Sequence, residues 1–145
     1  MARDPYDARD PVFSRLRAIC LALPETAEVQ AWGHPTFRVG AGKQQKIFCA
    51  CGVDGDVASM GWKCEPEVQH ALVASDPRFT IAAYVGKHGW VTFRATGKLD
   101  WGFIKEAIHE SYRLIAKARP AAQTKAAPKA RPRQAKARPR KARAT

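Results

Sequence analysis

The 145-residue chain carries a formal charge of +12 and 46% hydrophobic residues, enough for one ordinary domain with a single core. No run approaches the roughly 20 apolar residues of a membrane span, and the first residues lack the apolar stretch of a secretory signal, so a cytosolic protein with no membrane partner is expected. The charge is unevenly placed. Lys117 to Thr145 holds eleven basic residues and no acidic one, whereas the remainder holds fourteen basic and thirteen acidic groups, a balance of +1.

Residues 1–10 read as a flexible lead-in. Asp10 as N-cap and Pro11 at the first helical position open a helix whose apolar Phe13, Leu16, Ile19, Cys20 and Leu23 recur at helical spacing until Pro24. After a short connection, Thr36 to Val39 and Gln45 to Cys51 read as strands joined around Gly40 and Gly42, and Val57 to Trp62 follows across the Asp54, Gly55, Asp56 turn. Pro66 opens a short second helix through Val68, Ala71 and Leu72. Strands Thr80 to Tyr84 and Trp90 to Ala95 form a second hairpin, with Gly86, Lys87, His88 and Gly89 as its turn. Val91, Phe93 and Ala95 alternate there with Trp90, Thr92 and Arg94, which separates a core face from an aromatic and basic one. Asp100 caps a last helix with a stripe of Trp101, Ile104, Ile108, Tyr112 and Ile115.

The expected architecture is α+β, in the order α-β-β-β-α-β-β-α over residues 11–117, with an antiparallel sheet packed by helices on one side and open on the other. Residues 118–145 change abruptly to Ala, Pro, Lys and Arg, with Pro120, Pro128, Pro132 and Pro139 and the pentapeptide KARPR at both Lys129–Arg133 and Lys136–Arg140. A segment with so little apolar surface cannot offset its ordering entropy, so disorder is expected.

Five short motifs occur in order: WGHPTFR at Trp32–Arg38, KIF at Lys46–Phe48, WKC at Trp62–Cys64 with Pro66, KHGWV at Lys87–Val91, and SYRLI ending at Ile115. With the preceding LALPETAE they resemble the MmcQ/YjbR family over about residues 12 to 116. The resemblance implies a small α+β domain of the CyaY-like or secretion-chaperone-like type, described as carrying a double-wing DNA-binding motif. The implied wings are the hairpins around Gly40 to Lys46 and Gly86 to Gly89.

Closely spaced cations without acidic neighbours neutralise phosphates and release condensed counterions. Lys125, Lys129, Arg131, Arg133, Lys136, Arg138, Arg140, Lys141 and Arg143 are therefore the first candidate DNA contacts, and RNA or another polyanion satisfies the same charges. Within the domain, Arg38, Lys43, Lys46, Lys63, Lys87 and Arg94 are candidates for a basic surface, with Trp90 as a stacking platform. The expected function is sequence-nonspecific DNA binding, with nucleoid association allowed. The alternative is a protein- or peptide-binding, chaperone-like adaptor that uses its open sheet face while the tail tethers it to nucleic acid.

Other chemistry finds little support in the residues. There is no Walker-type glycine loop, HExxH or nucleophile elbow, so neither an enzyme nor a cofactor is expected. Cys20, Cys49, Cys51 and Cys64 read as reduced, buried thiols, because Cys49 and Cys51 share one strand face and miss the turn-borne spacing of a structural zinc site. His34 is expected to shape a turn, Asp54 and Asp56 to hydrogen-bond locally within theirs, and Trp32, Phe37, Trp62 and Trp101 to supply bulk as core or hinge-packing aromatics.

Overall fold

The computed structural model describes residues 3–118. Asp10 caps the first helix, α1 (Pro11–Leu21), by accepting the Val12 and Phe13 N–H groups, and Phe13, Leu16 and Cys20 are buried beneath it. Four strands follow: β1 (Thr26–Ala31), β2 (His34–Val39), β3 (Lys46–Asp54) and β4 (Val57–Lys63). Then come α2 (Pro66–Ser75), β5 (Phe79–Ile81), β6 (Trp90–Arg94) and α3 (Trp101–Ala118). The six strands make one antiparallel sheet in the order β1-β2-β3-β4-β6-β5. The fold is the α+β class expected, with one strand more than the sequence pattern revealed.

That additional strand is β1, which pairs with β2 across a two-residue turn of Trp32 (φ 53°) and Gly33 (φ 81°). Two consecutive positive φ values define a type I′ hairpin turn, whose usual sequence signal is Asn-Gly. Tryptophan in the first position hides it. The expected core role of Trp32 is corrected: it is 81% exposed, while Phe37 and Trp62 are fully buried. Trp101 is half-buried, beneath the Arg15 guanidinium at 5.1 Å.

The expected strand Thr80–Tyr84 is also corrected. Only Phe79–Ile81 pairs, because Ala82 donates its N–H to Trp90 and the chain then leaves the ladder, with Tyr84 at φ 66°. The lead-in makes contacts with α1 from residue 3 onward. Arg3 grips both carboxylate oxygens of Asp10 at 2.7 and 3.1 Å and stacks over Phe13, and Arg17 reaches the Pro5 carbonyl.

Alternation divides the sheet faces. Ala58, Met60, Trp62, Cys49, Cys51, Val91 and Phe93 turn toward the helices and form the core. On the other face stand Val29, Thr36, Arg38, Ala50, Ser59, Gly61, Lys63, Trp90, Thr92 and Arg94, and no described helix covers them. The register slips once, between Phe37 and Arg38, and leaves Phe48 as the bulged residue. Phe48 is buried edge-on against Tyr112, and its carbonyl accepts from the Ser111 hydroxyl at 2.7 Å. The same hydroxyl accepts the Lys63 N–H at 2.9 Å, so α3 clasps the start of β3 to the end of β4.

Candidate nucleic-acid interface

Antiparallel pairing assigns every loop to one of two sheet ends. The β2–β3 connection, the end of β4 and the β5–β6 connection share one end, since Val39 pairs with Lys46 and Lys63 with Trp90. At the opposite end lie the Trp32–Gly33 turn, the Asp54–Asp56 turn and the exit of β6. We call these the lysine end and the aspartate end.

The lysine end gathers four of the seven domain candidates as side chains at or beyond the strand termini. Lys43 sits in a single 3-10 turn (Gly42–Gln44), Lys46 opens β3, Lys63 closes β4 and Lys87 sits in a second 3-10 turn (Gly86–His88). The two hairpin loops stand three strand spacings apart, roughly 14 Å. Arg38 lies on the open face one register step inside this end and bonds Thr36 Oγ1 at 3.1 Å. None of these five cations joins an ion pair with a described carboxylate. Glu25 and Glu65 share the same end, so it is mixed in sign with cations in excess.

The second loop is held firmly. Buried Gln69 of α2 donates to the carbonyls of Gly86 at 2.8 Å and Trp90 at 2.9 Å, and Cys64 donates its N–H to Gly89 at 2.9 Å. Gly89 is in the left-handed region at φ 93°, and a Cβ there would lie 2.3 Å from the Cys64 carbonyl oxygen. Only glycine allows that approach. Trp90 is half-buried, with the edge of its ring beside Gly61.

Arg94 stands apart from the group. It lies at the aspartate end and forms an ion pair with Asp54, which answers the sequence expectation for that carboxylate: Asp54 reaches across β4 to β6 rather than serving its own turn. Tyr84, which sequence reasoning placed inside a strand, is 96% exposed beside Lys87 in the β5–β6 loop. An aromatic next to a glycine-rich basic turn was the available signal. His34 opens β2 at the aspartate end, its ring 6.3 Å from that of Trp32 and Nδ1 3.4 Å from the Pro35 carbonyl.

The thiols are placed as the sequence suggested: all four are free and buried. A hydrogen bond with Cys20, together with burial, pushes the Cys49 thiol well up; burial takes Cys51 to about 12 and Cys64 to about 11. Such thiols stay protonated and poorly nucleophilic at neutral pH. Among the described residues no group of three His, Cys, Asp or Glu side chains can hold a metal, and no helix is long and apolar enough to cross a membrane.

The direction of α3 connects domain to tail. It starts at the aspartate end after Asp100, passes Phe48 and Lys63 at Ser111, and fixes Pro24 through the Tyr112 hydroxyl at 2.7 Å. Its last two turns therefore carry the chain past the lysine end, where the described residues stop at Ala118. The candidates Lys125, Lys129, Arg131, Arg133, Lys136, Arg138, Arg140, Lys141 and Arg143 lie outside the described residues.

Two solved structures share the fold. Deinococcus radiodurans protein DR2400, with a family-model domain DUF419, aligns at a TM-score of 0.66 and 23% identity over 72% of this chain and 78% of that one. A Pseudomonas syringae protein aligns at 0.53 and 22% over 70% of this chain and 97% of that one. No curated protein matches the chain. The family model described as YjbR matches residues 21–114, more than half of the sequence and all six strands, and the chain belongs to the YjbR family.

Proposed function

We propose that this protein binds nucleic acid, DNA foremost, without reading its sequence: the basic tail supplies most of the affinity and the lysine end adds contacts to the same phosphate backbone. The observation that carries the reading is convergence. The segment with eleven basic residues and no acidic one leaves α3 at the sheet end where Lys43, Lys46, Lys63 and Lys87 are free of described carboxylates. A phosphate backbone meets positive charge from both. Tyr84, and the part of the Trp90 ring left exposed, offer stacking to an unpaired base.

The test is a titration of labelled duplex, single strand and RNA by the full chain and by a chain ending at Ala118. With about six tail cations on phosphates, the slope of log affinity against log salt is near −5, about a 1,000-fold loss between roughly 50 and 200 mM. Truncation should remove most of that slope. An unchanged slope in the shorter chain sinks the tail's role, and equal affinity for an uncharged polymer sinks the reading altogether.

The sheet face without a helix supports a second reading, an adaptor that lays a peptide across Val29, Ala50 and Gly61. A specific protein retained by the shorter chain after nuclease treatment, and lost on Gly61→Arg substitution, favours it.

A further inference from the structure

The cations of the lysine end have an acidic counterpart on the helix layer. Leu72 and Val68, four residues apart on α2, face Phe103, Ala107 and Glu110 of α3, and the helical spacing puts each set on one side of its helix. Between them runs a groove of about 270 Å³, with apolar walls and a rim of Glu65, Glu106 and Glu110. Val68 is 47% and Phe103 41% exposed, so the walls are left open to water. Glu110 also holds Arg113 at 2.8 Å, whereas Glu65 and Glu106 join no ion pair with a described cation. Trp62, fully buried, lies beneath the floor. A groove of this kind fits a chain that brings cations for the rim and small apolar groups for the walls.

We propose that the groove is the docking site of this chain's own basic tail, within one molecule. Residues 119–145 supply both requirements: lysines and arginines spaced by alanine and proline, with no acidic residue. Reach is ample. Ala118 lies eight residues beyond Glu110, about 12 Å along α3, and the 27 residues that follow can extend to about 90 Å. Glu65 and Glu110 both lie toward the lysine end, where the tail begins. Docking and phosphate binding use the same cations, so a docked tail is unavailable to nucleic acid and a bound polyanion empties the groove. This competition rests on the polyanion reading above; the docking does not.

Carbodiimide coupling of the full chain at low salt tests the docking, since it joins a carboxylate to an amine only in direct contact. Expected are links from Glu65, Glu106 or Glu110 to Lys125, Lys129, Lys136 or Lys141 in the monomer band, suppressed several-fold by added duplex. The triple variant Glu65→Gln, Glu106→Gln, Glu110→Gln should lose them and bind duplex about fivefold tighter, the gain expected if four-fifths of free molecules are docked. Links only between chains, or tail links that avoid the three glutamates, overturn the proposal. If duplex fails to bind the full chain at low salt, the polyanion reading falls, and the monomer links alone decide the docking.

Discussion

The two ends of the sheet are built from the same kind of part, short hairpin connections between antiparallel strands, yet they treat charge in opposite ways. At the aspartate end the turn carboxylate Asp54 holds Arg94, and the Asp56 carbonyl receives Arg3 from the N-terminal stretch. At the lysine end Lys43, Lys46, Lys63 and Lys87 have no described carboxylate partner, although the scaffold beneath them is tied by Ser111, Gln69 and Gly89. One end spends its charges on the fold. The other presents them on a fixed frame, as a surface must if it is to meet phosphates without first ordering itself.

The largest effect should separate the ends by their glycines. Gly89→Ala forces a Cβ against the Cys64 carbonyl and should cost about 3 kcal/mol, or roughly 15 °C in melting temperature. Gly33→Ala at the aspartate end meets nothing within 4 Å, so only its positive φ resists, at about 1 kcal/mol. Equal losses in thermal melts would show that the lysine-end loop is not the more tightly held. Charge reversal comes next. Lys46→Glu with Lys87→Glu should weaken duplex binding by about tenfold and lower the salt slope by about 2, while Lys98→Glu, beyond the exit of β6, should change it less than about twofold. A matching loss from Lys98→Glu in the same titration would dissolve the distinction between ends. The smallest effect is expected from Asp54→Ala. It releases Arg94 from a largely exposed pair, so stability should move by no more than about 0.5 kcal/mol and duplex affinity by less than about twofold. A marked rise in affinity would bring Arg94 into the interface.

The strands with strong alternation were legible. In β6 Val91 and Phe93 are buried and Trp90, Thr92 and Arg94 are not, as the pattern stated. The caps were legible as well, because Asp10 and Asp100 do what short acidic side chains do at helix starts. β1 was not. TAEVQA offers a single large apolar residue, and an edge strand needs little more, since only one neighbour and one face must be satisfied. Tyr84 was misplaced because a hairpin pattern cannot report that the Gln69 side chain, seventeen residues before Gly86, captures the loop and shortens the strand.

The lysines of the interface were read singly, and Arg94 among them, since a sequence shows that a residue is charged but not which carboxylate lies across the sheet. Composition alone determined the separation of a near-neutral domain from a tail of eleven cations, because charge counting needs no coordinates. Periodicity determined the class of most elements, because burial on one face imposes its repeat on the residues. Strand order and helix direction were decided only by the tertiary structure. Antiparallel pairing brings loops more than forty residues apart to one end, and the run of α3 delivers the tail there, with Glu65, Glu106 and Glu110 close by. Nearness of that kind arises from packing between segments distant in sequence, and no local pattern records it.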